Sequence, residues 1–223
     1  MKRLELIKGL VRSLDLEWNA LQMEIAQCVL CTKRFPEVDC PPGRILPANL
    51  PPPDRIKVLF IGVAPPHKGC HFYTDPKDRL RKGLFKILKE LGHPCDGVDA
   101  LDFTPFLDSH FYLIHAAKCA IRGTSKPSVD VSRFCSSHHL KREIEVLQPN
   151  AVCWLSKNVC YPVCQSLNRE WGTGRGVPFG EATSVTMGGR NIYFLATKWP
   201  GRGGEEDTRM HLDELLKRQR NAQ

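Results

Sequence analysis

A chain of 223 residues that is 42% hydrophobic and 25% charged carries enough apolar material for a sizeable core, which excludes wholesale disorder. Its net charge of +8 and isoelectric point near 9.0 suggest a polyanionic partner, since lysines and arginines that neutralise phosphates release counterions; the bland alternative is general surface basicity. No secretory signal is visible and no stretch reaches the ~18 apolar residues of a membrane span. The protein therefore reads as intracellular, where disulfides are rare, and its ten cysteines direct attention to metal ligation.

Along the chain, "LELIKGLVRSLDLEWNALQMEIAQC" (4–28) has apolar residues at helical spacing, so the N-terminal 1–27 is expected to be helical. "CPPGRILPANLPPPDR" (40–55) is too proline-rich for regular structure and reads as a connector. "KVLFIGVA" (57–64) is a buried strand, followed by the loop "PPHKGCHFYTDPKD" and by an amphipathic helix, "RLRKGLFKILKELG" (79–92), that Gly92 closes. The unit recurs as a strand at 111–117, a helix at about 130–147 and a strand at 150–156. A helix near 157–168 and a Gly-rich segment lead to a strand at 191–197 and a last helix from about Thr208.

Nearly continuous apolar strands alternating with helices predict a three-layer α/β/α domain around a four-stranded parallel sheet. Ligands of such sheets bind outside the carboxyl ends of the strands, so the loops that matter begin at Gly62, His115 and Ala196. No internal repeat divides the chain, which is expected to form one domain over 1–223 and to act as a monomer.

Cys28 and Cys31 form a C-x2-C pair, and Cys119 leaves a strand while Cys135 lies in the next helix. Four thiolates from two such pairs suit zinc or a [4Fe–4S] cluster, and spacing alone does not choose between them. Cys153, Cys160 and Cys164 read as core residues, as do the isolated Cys40, Cys70 and Cys95.

The C-x2-C pair, "VLFIGVAPP" at the first strand, "KC" after the second, a cysteine sixteen positions on, and a third strand after "QPN" together resemble the iron–sulfur (family 4/5-like) branches of the uracil-DNA glycosylase superfamily. The resemblance spans about Cys28 to Lys217. It implies a [4Fe–4S] cluster on Cys28, Cys31, Cys119 and Cys135 that attaches the N-terminal helix and the connector to the domain. It also implies DNA as partner, DNA repair as setting, and excision of a flipped-out base as activity.

The motif positions that carry this chemistry are altered. The first-strand motif of the iron–sulfur enzymes usually reads G-E-x-P-G; here it is "GVAPP", with Val63 in place of the acid between Gly62 and Ala64. On the same loop the family places an aromatic that stacks on the extruded base, for which Phe72 is the first candidate and Tyr73 the second; either is otherwise core. His67 and His71 share that loop. The asparagine that reads the pyrimidine edge is replaced by His115, which offers one donor and one acceptor when neutral and two donors when charged.

The usual H-P-S motif is "KWPGRGG", with Trp199 in place of the histidine. Lys198, Arg202, Lys118 and Arg122 suit phosphate contacts. The acidic "EED" (205–207) either opens the last helix or supplies the missing carboxylate, and the helical reading is preferred. The expectation is a DNA glycosylase acting on a modified or damaged base, with His115 as its catalytic residue. The alternative is an inactive iron–sulfur protein that recognises distorted DNA.

Overall fold

The computed structural model describes residues 16–36, 38–39, 51–66, 71–95, 103–121, 128–171, 176–187, 189–201 and 203–221. Helix α1 (16–27) buries Trp18, Leu21, Gln22 and Ile25, the i, i+3, i+4, i+7 stripe expected of a helix docked on one face. A short helix α2 (Leu30–Arg34) precedes strand β1 (Val38–Asp39). Strand β2 (Val58–Gly62) is buried along its length. Helix α3 (Arg79–Glu90) begins at Asp78, whose carboxylate accepts from the Arg81 N–H at 2.8 Å, and ends before Gly92, where φ is +83°.

Helix α4 (Thr104–Asp108) leads into β3 (Phe111–His115), and β4 (Ala120–Ile121) follows the strand tip. Helix α5 (Val129–Cys135), a π-helical segment (Ser136–Leu140) and α6 (Lys141–Leu147) run on without a break, Ser128 capping the start. Strand β5 (Ala151–Leu155), helix α7 (Cys160–Glu170), strands β6 (Thr183–Met187) and β7 (Arg190–Thr197), and helix α8 (Glu205–Asn221) complete the described chain.

The central sheet has the order β3-β2-β5-β7-β6. Its first four strands are the expected parallel set, and β6 adds a fifth, antiparallel strand at the edge. Strand β6 falls within the segment expected to be a Gly-rich connection; only Val185 and Met187 of its five residues are buried, so its apolar signal is weak. Helices α3, α4 and α8 cover one face of the sheet, and α1, α6 and α7 cover the other. A separate two-stranded ribbon joins β1 to β4, with Val38 opposite Ile121 and Asp39 opposite Ala120.

Two consequences position a site. The chain leaves β2 towards β3 on one side and later returns to β2's other side as β5, so the carboxyl end of β2 is a topological switch point, the place where open α/β sheets bind their ligands. The register also sets His115, Gly62, Leu155 and Thr197 in one row across the four parallel strand ends, all on the α3/α8 face. At ~4.8 Å per strand that row spans about 14 Å.

Candidate functional site at the carboxyl ends of the strands

His115 is the last residue of β3 and pairs with Gly62 of β2. Its imidazole lies over that glycine: a methyl group added there would stand 2.9 Å from His115 Cδ2 and 3.2 Å from Nε2. The absence of a side chain at Gly62 is therefore what lets the ring reach across the switch point. Burial pushes the His115 pKa down to about 3, with smaller contributions from the charges of Lys118 and His71. The ring is neutral at physiological pH, so of its two chemical options only the one with a single donor and a single acceptor operates.

Val63 and Ala64 follow on the loop, Val63 packed against the α1/α6/α7 core and Ala64 against the cysteines. The two aromatics proposed to stack on a base are corrected by the structure. Phe72 is only 2% exposed, with its ring centroid 5.6 Å from Phe106 and 5.9 Å from both Phe85 and Phe103. Tyr73 is held at the edge of β3, where its hydroxyl donates to the Leu113 carbonyl at 3.0 Å and accepts from the Leu113 N–H at 2.8 Å. The phenol thus stands in for a missing neighbouring strand, and burial raises its pKa far above the usual value. Tyr73→Phe leaves both Leu113 groups without this partner and should lower unfolding stability by about 1–3 kcal/mol in urea titrations.

Lys118 is corrected as well. It is 4% exposed and forms an ion pair with Glu143, itself 1% exposed, while its ammonium donates to the His115 carbonyl. Glu143 also accepts from Gln22 Nε2 at 3.1 Å. A residue expected on a phosphate track is therefore an internal tie between the β3 tip, α6 and α1. Arg122 and Arg202 lie outside the described residues, as do His67, Cys40 and Cys70.

After β7 the chain is pressed against α3. Trp199 is half-buried on the α3/α8 core, and its ring lies so near Gly201 that an added methyl there would be 2.3 Å from it. Lys198 is exposed, yet it pairs with Asp207, whose carboxyl that hydrogen bond holds below the usual range. The acidic triplet is the first turn of α8, as its preferred reading had it. Beneath this loop the Thr197 hydroxyl lies 3.1 Å from His211 Nδ1, and Thr208 Oγ1 donates to the Lys198 carbonyl at 3.0 Å.

The end of β5, a strand end that sequence alone does not mark, carries a cation–aromatic group on the opposite, α1/α6/α7 face of the sheet. Lys157 stands there with its ammonium 5.3 Å from the centre of the Phe179 ring, which meets Tyr161 edge-on at 5.4 Å. Phe179 itself bridges to Ala196 near the end of β7. His71 lies close enough for its charge to lower the His115 pKa.

Beside the strand tip, Cys31 from α2, Cys119 before β4 and Cys135 from α5 are buried together with Val38, Ala117 and Val131. Hydrogen bonding to Cys119 and Cys135 drives the Cys31 thiol pKa upward, and the Cys31 hydrogen bond lowers that of Cys135, whose sulfur also accepts from the Lys118 N–H at 3.2 Å. Cys28 sits partly exposed one turn before Cys31. As they stand, no group of three or more His, Cys, Asp or Glu among the described residues is arranged to hold a metal ion. The donor types and their burial fit a thiophilic centre. Cys153, Cys160 and Cys164 are core residues as expected, their pKa values raised by burial.

His139, on the π-helical segment, is 4% exposed and neither ring nitrogen meets a hydrogen-bond partner among the described residues. Burial and the charge of Lys118 lower its pKa to about 4, against the opposing influence of Glu24. Both His115 and His139 thus bind fewer protons folded than unfolded between their folded pKa values and ~6.5. Unfolding stability should fall as pH drops from about 6.5 towards 4, and His139→Leu should flatten that fall in melting experiments across the range.

The family model described as the uracil DNA glycosylase superfamily matches residues 49–198, from the proline-rich connector through the whole row of strand ends to Lys198. No curated protein matches the chain. Among the described residues, no helix is long and apolar enough to cross a membrane.

Proposed function

Because the chain belongs to the uracil DNA glycosylase superfamily, we propose that it hydrolyses the N-glycosidic bond of a modified or damaged base extruded from DNA, with His115 as the residue that meets the base. The superfamily membership carries DNA glycosylase-type chemistry in general. The observation that supports the specific reading is the neutral imidazole of His115 held over Gly62 at the switch point of the sheet.

In this reaction the C1′–N bond breaks with its electron pair leaving on the base, water adds to C1′, and the proton that water gives up ends on the departing base anion through solvent. A neutral His115 donates one hydrogen bond to the leaving base and takes no charge of its own, which supports a base whose edge presents an acceptor. Val63 supplies neither a carboxylate for the cationic sugar nor a base for water, so strand distortion and preorganised hydrogen bonding carry the step. With Phe72 and Tyr73 engaged elsewhere, Trp199, on the α3/α8 face that His115 shares, is the aromatic surface suited to contact the extruded base.

We also propose that Cys28, Cys31, Cys119 and Cys135 hold a [4Fe–4S] cluster, with zinc as the alternative. Its contribution is anchorage: it ties α2 and the β1–β4 ribbon to the tip of β3. The convergence of three buried thiols from separate elements supports this assignment. A brown protein with broad visible absorption and bound iron supports the cluster, whereas a colourless, zinc-containing sample prepared without oxygen overturns it.

The decisive assay incubates the protein with duplex and single-stranded DNA carrying a panel of modified bases and detects abasic sites. His115→Ala should slow release by about 100-fold, the usual effect of removing one preorganised donor; an unchanged rate removes His115 from the mechanism. Binding of every substrate with release of none would leave the DNA-binding alternative, which Val63 and Trp199 at the altered motif positions favour.

A further inference from the structure

A stack of cationic and aromatic side chains stands on the surface above the thiols. Arg34, exposed at the end of α2, holds its guanidinium 4.8 Å from the centre of the Phe134 ring and 5.5 Å from that of Phe35. Those two rings meet edge-on at 5.7 Å, and His138 lies 4.5 Å from Phe134. The His138 Nδ1–H donates to the Phe134 carbonyl at 2.7 Å, which fixes the ring's orientation and leaves Nε2 at its outer end.

The burial pattern divides this group in two. Phe35 and Phe134, with Ala64 of the pocket loop, pack onto Cys31, Cys119 and Cys135, and those rings alone suffice as a lid. Arg34 and His138 lie against those rings but are themselves exposed. Arg34 forms no ion pair with a carboxylate among the described residues, unlike the exposed Lys198 and Arg142, which pair with Asp207 and Glu24. Lys33 and Arg133 are exposed on the same two helices and make the surroundings basic. A planar cation fixed in advance over aromatic rings, with no carboxylate partner among the described residues, is suited to stack on a nucleobase and meet the adjoining phosphate.

We infer that the Arg34–Phe134–His138 stack, seated on the same thiol cluster that Ala64 of the pocket loop packs against, binds one unpaired base of the substrate strand beside the extruded nucleotide. The inference rests on the DNA reading above and adds a second contact on the same strand, outside the pocket.

The test uses the full chain and oligonucleotides with an abasic-site analogue and the fluorescent base 2-aminopurine at successive flanking positions. Wild-type protein should quench one flanking position selectively. Arg34→Ala and His138→Ala should abolish that quenching and weaken binding roughly tenfold. Arg34→Lys keeps the charge without the planar face, so it should retain the salt dependence of binding and lose the quenching; melting curves establish that each variant is folded. Wild-type quenching and affinity in both alanine variants overturn the inference while leaving the glycosylase reading intact. Weakened binding with quenching unchanged overturns the stacking in favour of a simple phosphate contact. Wild-type protein that binds none of these strands removes the DNA reading and this inference together.

Discussion

Replacing Lys118 alone by methionine should lower unfolding stability by about 3–5 kcal/mol, because it leaves the Glu143 carboxylate buried without its cation. Both partners are almost completely enclosed, at 4% and 1% exposure, so water cannot replace the lost charge. The double variant Lys118→Met, Glu143→Leu removes the uncompensated charge, and its stability should return to within about 1–2 kcal/mol of the native value. Gln22 loses its carboxylate acceptor in that background, which is why full recovery is not expected. Urea unfolding of the two single variants and the double variant closes the cycle. Strictly additive losses would show that the pair is not a coupled unit.

The same experiment separates two roles for Lys118. Its ammonium also donates to the His115 carbonyl, so the double variant frees the strand tip that carries the candidate catalytic ring. Restored stability with reduced base release would make Lys118 a positioning residue. A phosphate contact would instead change the salt dependence of DNA binding, which a lysine buried this deeply should leave unaltered.

How the sequence failed for Lys118 is instructive. "KCAIRG" is locally a basic turn, and nothing within it announces burial; the acid that buries Lys118 stands on α6, and that acid is oriented from α1. Of the four cysteines singled out by their spacing, Cys31, Cys119 and Cys135 do come together in one buried cluster, because spacing along the chain is local enough to be read. The parallel strands were legible because strands covered on both faces read as continuous apolar runs. Strand β6 was not, since an edge strand with one wet face alternates over only five residues. Phe72 and Tyr73 illustrate a different limit. A loop sequence gives an aromatic residue but not the direction in which it points, and here one ring fills the core while the other's hydroxyl finishes the edge of β3.

Gly83 lies in the interior of α3, where glycine costs roughly 1 kcal/mol relative to alanine and helical phasing gives no reason for it. The structure supplies the reason: a methyl group on Gly83 would stand 1.7 Å from the Pro200 carbonyl oxygen and 2.6 Å from its carbon. The obstacle is backbone on both sides, helix against loop, so no side-chain rotation relieves it. Gly83→Ala should therefore cost about 3 kcal/mol or more despite its better helix propensity, at or beyond the usual range for overpacking. Gly201→Ala makes the informative contrast, since its added methyl meets the Trp199 indole, which can swing outward. That variant should lose less stability, about 1–3 kcal/mol, and should shift tryptophan emission to the red as the ring becomes exposed. If Gly83→Ala proved as stable as the native protein, the close seating of the Trp199–Pro200 loop on α3 would be wrong, and with it the geometry of the strand-end row on the β7 side. If both variants fold and only Gly83→Ala loses base release, it is the backbone of this loop, rather than its indole, that the reaction requires.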